Sequence, residues 1–127
     1  RRGAYWEWER GSLCVRLSYN RTFSGESAQG SWSTTLRPDV TVSLWPSHLS
    51  FGDAIQFGSL QHIHFDAKYR RSDEGDFLRQ DLHKMHTYRD AILHSTGAYL
   101  LYPMREEENG TPTLFFEKET NRGVGAF

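Results

Sequence analysis

The sequence has a single cysteine, little net charge and no long apolar run. Cys14 is the only cysteine in 127 residues, so an intrachain disulfide is excluded and a reducing, cytoplasmic setting is expected. No apolar segment approaches the ~20 residues that a membrane-spanning helix needs, which predicts a protein without a membrane span. The formal net charge is −1, which argues against a protein that holds nucleic acid through a strong overall positive field.

The residues that are present suit one folded domain. Hydrophobic residues make up 37% of the chain and charged residues 24%, a balance that favours a buried core over disorder. We therefore expect residues 1–127 to form a single domain. Because Arg1 is not an initiator residue, the sequence also fits a fragment of a longer protein.

Alternating apolar and polar residues predict β-structure in the first half of the chain. Trp6 and Trp8 alternate with glutamates, and a second alternating run spans residues 13–19, so a hairpin is expected. A further β-segment is predicted over residues 32–44. Proline and glycine residues then indicate an insertion loop over residues 45–59.

The second half of the sequence predicts three more strands and one long helix. Residues 60–69 alternate like a strand, and leucine, methionine and isoleucine recur at helical spacing over residues 76–95. Strands are expected again over residues 98–102 and near residues 113–118. The whole pattern predicts an α/β fold with a mixed sheet and the helix packed on one face.

Asp66 and Lys68 are the residues that first indicate chemistry. They lie two positions apart on a predicted strand, so their side chains project from the same face. Asp39 lies on the preceding β-segment and can come beside them. Two carboxylates form a hard-oxygen site suited to Mg²⁺, and a nearby lysine can stabilise an attacking hydroxide. Taken alone, Asp-x-Lys also fits an ordinary ion pair.

Two segments carry a family resemblance, residues 36–42 and residues 64–70. Together they resemble the PD-(D/E)XK nuclease superfamily. The motif Asp-Ala-Lys-Tyr at residues 66–69 is most similar to its McrC-like restriction endonuclease branch. The resemblance implies a restriction-endonuclease-like fold with Asp39, Asp66 and Lys68 as catalytic residues. It also implies Mg²⁺, replaceable by Mn²⁺, as the cofactor.

The resemblance extends to the metal ligands and to the long helix. It implies that the metal is held by Asp39, Asp66 and the carbonyl of Ala67. In related RecB-like nucleases this helix carries a Gln-x-x-x-Tyr pattern, and Lys84 and Tyr88 stand at those positions here. Together with Arg89 they are expected to line the site or to contact phosphate. The alternatives are a solvated lysine, a tyrosine at the edge of the core and an ordinary surface arginine.

The function implied by the resemblance is Mg²⁺-dependent hydrolysis of DNA phosphodiester bonds in restriction or phage defence. A partner is expected beside DNA: either an AAA+ NTPase subunit or further copies of this chain. Two departures from the family pattern stand out. No helix bearing a glutamate is visible before the first core strand, and the interval between Asp39 and Asp66 is long.

Three other interpretations remain open on the sequence. The first is a catalytically inactive nuclease fold that binds DNA or acts as a scaffold. The second is a secreted β-module that binds carbohydrate through exposed tryptophans, of which the chain has four. The third replaces Mg²⁺ by Zn²⁺ or Fe²⁺, because His62, His64 and Asp66 share one face of the same strand.

Overall fold

The computed structural model describes residues 4–25, 30–68, 75–102, 113–116 and 122–127. Along the chain the elements are β1 (Tyr5–Arg10), β2 (Leu13–Tyr19), β3 (Val40–Pro46), α1 (Phe51–Gln56), β4 (Gln61–Ala67), α2 (Gly75–Ala91), β5 (Ser95–Leu101), β6 (Thr113–Phe116) and β7 (Gly123–Ala126). No helix among these residues is both long enough and apolar enough to cross a membrane.

The strands of the described residues form one mixed sheet in the order β1-β2-β3-β4-β5-β7-β6. Strands β1 to β4 are an antiparallel meander, and β5 pairs parallel with both β4 and β7. Helix α2 makes the crossover between β4 and β5, and it packs on the sheet as expected for a parallel connection. The predicted α/β fold with a helix after the strand of Asp66 is therefore confirmed.

The predicted first hairpin is confirmed, with its turn between β1 and β2. Arg10 pairs with Leu13, which leaves Gly11 and Ser12 as a two-residue loop. Gly11 has a φ of 61°, a conformation that glycine adopts without the steric cost that a Cβ brings. The Arg-Gly-Ser sequence thus encodes a tight turn directly.

The predicted strand over residues 32–44 is wrong in its bounds, because β3 begins only at Val40 and continues to Pro46. In the segment before β3, backbone amides donate hydrogen bonds to side-chain hydroxyl groups and not to a neighbouring strand. The amide of Ser33 donates to Ser31 Oγ and that of Gly25 donates to Thr35 Oγ1. Pro38 also lacks the amide that a paired strand would need.

The expected insertion loop over residues 45–59 contains helix α1, so that prediction is wrong as well. Ser50 caps the helix by accepting a hydrogen bond from the amide of Asp53 at 3.0 Å. Ala54 is fully buried and packs in a cluster with Trp45 and Leu60. This cluster fixes α1 against β3.

Helix α2 was predicted over residues 76–95 and ends earlier, at Ala91. His94 adopts a φ of 66° and turns the chain into β5, which begins at Ser95. Gly97 therefore lies within a strand and not just past the helix. The helix packs on β5 and β7 through the main core, whose buried members are Phe23, Met85, Tyr88, Ile92, Ala98, Leu100, Val124 and Ala126.

The two faces of the sheet differ in polarity. Both helices pack on the face that carries the buried polar side chains Thr41, Ser43, His62, His64 and Asp66. The opposite face carries half-buried apolar side chains, among them Val42, Leu44, Ile63 and Phe65. The prediction that His62, His64 and Asp66 share a face is confirmed, and that face is the interior one.

Candidate active site

Asp39 and Asp66 are brought together by the pairing of β3 with β4. Val40 lies opposite Phe65, so the residues just beyond this pair, Asp39 and Asp66, face each other. The amide of Asp39 donates to Asp66 Oδ1 at 3.0 Å, and the amide of Ala67 donates to Asp39 Oδ2 at 3.0 Å. Each carboxylate is thus held by the backbone of the other strand.

Asp66 is almost fully enclosed, with 3% of its side chain exposed. Lys84 Nζ lies 2.9 Å from Asp66 Oδ2, and Lys68 Nζ lies 3.7 Å from the same oxygen. The hydroxyl of Tyr88 donates to both oxygens at the longer distances of 3.3 and 3.4 Å. A buried carboxylate needs such partners, because an unpaired charge in the interior is costly.

Lys68 is held between two acids. Its ammonium lies 3.7 Å from Asp66 Oδ2 and 3.8 Å from Asp81 Oδ1. The hydroxyl of Tyr102 donates to Asp81 Oδ2 at 2.8 Å and so fixes that carboxylate. A chain of contacts therefore runs from β5 through α2 to the end of β4, and it orients Lys68.

Asp81 and Tyr102 are the site residues that sequence reasoning missed. Asp81 precedes Lys84 by three positions, which places the two side chains on neighbouring positions of the same helix face. This spacing was available as a signal. Tyr102 had none, because its place beside Asp81 depends on the parallel pairing of β4 with β5.

The charges of the site follow from its burial. Burial raises the pKa of Tyr88 to about 12, with the Asp66 carboxylate as the next cause, so this hydroxyl keeps its proton at neutral pH. For Lys84, burial alone lowers the pKa, but the hydrogen bond to Asp66 and its charge outweigh that effect and raise it. Lys84 is therefore an ammonium ion at neutral pH, and Tyr88 is a donor.

Arg89 is the one predicted site residue that the described contacts do not bring to Asp66. It lies about 140° around the helix from Lys84, given 100° per residue. Its guanidinium instead pairs with Asp90 at 2.9 Å, and its carbonyl accepts from Arg122 at 2.7 Å. The expected role of Arg89 in contacting phosphate stays a prediction, as does that of the Ala67 carbonyl as a ligand.

The donor set fits Mg²⁺ in its chemistry. Asp39 and Asp66 offer carboxylate oxygens from adjacent strand ends, and Mg²⁺ commonly takes one or two carboxylates and keeps several waters. In the part of the chain that the structure describes, no group of three or more His, Cys, Asp or Glu residues lies close enough to hold a metal ion. Among the described residues the site therefore offers two acids, and water would supply most of the remaining ligands.

The histidine interpretation does not fit this geometry. His64 Nδ1 is bonded to Thr41 Oγ1 at 2.9 Å and its Nε2 to Ser95 Oγ at 2.7 Å, so both ring nitrogens have partners. His62 Nδ1 is bonded to Ser43 Oγ at 2.8 Å. These rings belong to a buried polar ladder that links β3, β4 and β5.

Comparison with known proteins identifies the family of the chain. A family model described as the PD-(D/E)XK nuclease superfamily matches residues 2–107, which include every predicted site residue. Neither the curated proteins nor the solved structures give a match. The family match spans most of the 127 residues, and the chain belongs to the PD-(D/E)XK nuclease superfamily.

Proposed function

We propose that the chain is an Mg²⁺-dependent DNA endonuclease with Asp39, Asp66 and Lys68 as its catalytic residues. The observation that carries the proposal is the pair of backbone hydrogen bonds that holds the Asp39 and Asp66 carboxylates together. The Lys68 ammonium lies 3.7 Å from Asp66. Two oriented carboxylates and one oriented cation are the groups that phosphodiester hydrolysis needs from a protein.

Each catalytic residue has a distinct part in this proposal. Asp39 and Asp66, with the carbonyl of Ala67, would hold Mg²⁺, and Mn²⁺ would substitute for it. Bound there, the cation supplies Lewis acidity, which stabilises negative charge on the scissile phosphate and makes water easier to deprotonate. Lys68 donates hydrogen bonds to the attacking water and to the developing negative charge, and Asp81 keeps its ammonium in place.

The helix residues differ in how they reach substrate. Lys84 has 49% of its side chain exposed, so its ammonium is accessible to a DNA phosphate. Tyr88 is buried and acts on the site by orienting Asp66. Arg89 is proposed to contact phosphate through the exposed 17% of its side chain, beside its partner Asp90.

The biological setting is part of the proposal and rests on the sequence resemblance. The Asp-Ala-Lys-Tyr wording at residues 66–69 supports an McrC-like branch, and hence restriction or phage defence in the cytoplasm. An AAA+ NTPase or further copies of this chain would be the protein partner. Such a partner would supply the positive charge for holding DNA that a chain of net charge −1 lacks.

A cleavage assay with matched variants tests the proposal. Supercoiled plasmid is incubated in Mg²⁺ with the wild type, with Lys68→Ala and with the control Asp53→Asn, whose side chain is exposed on α1. We expect Lys68→Ala to lose at least about a hundredfold in rate, and Asp53→Asn to match the wild type. Full activity in Lys68→Ala would remove the catalytic assignment.

A further inference from the structure

Lys84 lies where a cation would meet Asp66. At 2.9 Å, its distance to Asp66 Oδ2 is the shortest described polar contact to that carboxylate. Lys68 is 0.8 Å farther from the same oxygen, the difference between 3.7 and 2.9 Å. Lys84 is therefore the nearer positive partner of the enclosed acid.

The surroundings of Lys84 allow it to leave. About half of its side chain is exposed, so the ammonium can turn into solvent without opening the core. Lys68 is less exposed, at 22%, and it is shared with Asp81, which gives it a second carboxylate to stay with. Of the two lysines beside Asp66, Lys84 can therefore leave the carboxylate more easily.

We propose that Lys84 is an internal counter-ion of Asp66 which a divalent cation must displace. This rests on the proposed function, because it requires that the metal bind at Asp39 and Asp66. The Lys84 ammonium occupies one close position on Asp66 Oδ2, and in this proposal a metal ion competes with it for that position. Lys84 thus lowers the apparent affinity of the site for metal in the absence of DNA.

Displacement also links the metal to DNA. A backbone phosphate offers the Lys84 ammonium another anion once it has left Asp66. DNA binding would then draw Lys84 from the site and raise the affinity for metal, and metal would raise the affinity for DNA by the same factor. The site would fill with metal chiefly when substrate is present.

Metal binding without turnover tests the proposal directly. Free Mn²⁺ is counted by electron paramagnetic resonance during titration of the full chain, with the wild type, Lys84→Gln and Arg89→Gln compared. Arg89→Gln removes one positive charge from the same helix, but from a side chain paired with Asp90. We expect Lys84→Gln to bind Mn²⁺ about tenfold more tightly, Arg89→Gln to stay within about twofold of the wild type, and Asp39→Asn to lose the site.

The outcomes separate this proposal from the proposed function. Equal or weaker Mn²⁺ binding by Lys84→Gln, with binding still lost in Asp39→Asn, overturns the displacement and leaves the metal site in place. No binding to any variant, or binding that Asp39→Asn does not change, overturns the proposed function and this inference together.

A second measurement needs no variant, in case Lys84→Gln fails to fold. Lysines of the wild type are labelled with an amine reagent, with and without saturating Mg²⁺, and Lys84 is followed by peptide mass spectrometry. We expect its labelling rate to rise severalfold when metal binds, because the ammonium is then in solvent. An unchanged rate at saturating Mg²⁺ contradicts the displacement.

Discussion

Asp66 shows how many partners a single enclosed carboxylate needs. Its carboxylate is enclosed, yet it has two ammonium groups, a hydroxyl and a backbone amide as neighbours. Removing one partner of such a buried pair is costly, because it leaves a charge without compensation. The substitutions at Lys68 and Lys84 that test the proposals therefore also change the surroundings of Asp66, so each is compared with a control variant.

The buried polar ladder, which contains His62 and His64, makes the stability of the fold sensitive to acid. Burial lowers the pKa of His64 from 6.5 to about 3 and, with the positive charge of His64 as a second cause, lowers that of His62 as well. Below pH 6.5 these two histidines bind protons in the unfolded chain but stay unprotonated in the folded chain. Stability is thus fully present above pH 6.5 and is lost as the pH falls toward about 3.

We therefore expect the free energy of unfolding to fall between pH 6.5 and pH 3, by at most about 1.4 kcal/mol per pH unit for each histidine. Urea titrations at a series of pH values measure it. His64→Gln should flatten this dependence, whereas His48→Gln, at an exposed position, should not. An equal slope in all three proteins would show that the ladder is not the cause.

At the residue scale, the sequence singled out acids and lysines that the structure brings together, but it did not show how they are oriented. Alternation in β4 correctly put His62, His64 and Asp66 on one face, but it did not say that this face is the interior. Which face is covered depends on where α1 and α2 pack, and that is decided by contacts distant in sequence. Asp81 was missed for a related reason, since its partners Lys68 and Tyr102 come from two different strand ends.

Secondary elements with a long periodic pattern were predictable, whereas the short elements β7 and α1 were not predicted. The first hairpin, β4 and α2 were each predicted, because alternation or helical spacing extends over six or more residues. Strand β7 has only four residues, two of them glycine, and its strand form comes from pairing with β5 and β6. Helix α1 has six residues, too few for periodicity to identify.

The cap of α1 is the local signal that could have revealed this helix. Because Ser50 Oγ accepts from the amide of Asp53, we expect Ser50→Ala to lower the free energy of unfolding by about 1 kcal/mol. Ser12→Ala, at an exposed turn position, serves as the control and should change little. Chemical denaturation measures both, and equal stability of the two variants would mean that the cap contributes nothing.

At the scale of the whole molecule, the net charge and the outer face of the described sheet both bear on how tightly the chain holds DNA. The net charge is −1, and the sheet face away from the helices is apolar and only half-buried. Its outer strand exposes Trp6 and Trp8. Neither feature favours tight DNA binding by this chain alone, since affinity for duplex DNA depends largely on phosphate contacts.

We accordingly expect weak binding to duplex DNA with a moderate dependence on salt. Four phosphate contacts, assigned to Lys84, Arg89 and to Arg70 and Arg71, which lie outside the described residues, predict a log–log slope of about −3 to −4. Fluorescence anisotropy with Ca²⁺ in place of Mg²⁺ measures this slope without cleavage. Lys84→Gln should reduce it by about 1, while nanomolar affinity with a shallow slope would point to direct recognition of bases.

If Asp39 and Asp66 form one metal site, crystals soaked in MnCl₂ should reveal the ion there. We expect an anomalous difference peak between the two carboxylates, with the Lys84 ammonium moved off Asp66 Oδ2. The peak should vanish in Asp39→Asn crystals treated in the same way. A metal bound elsewhere in a protein that cleaves DNA, or acids that stay paired only with the lysines in such a protein, would show that Asp39 and Asp66 are not the metal site.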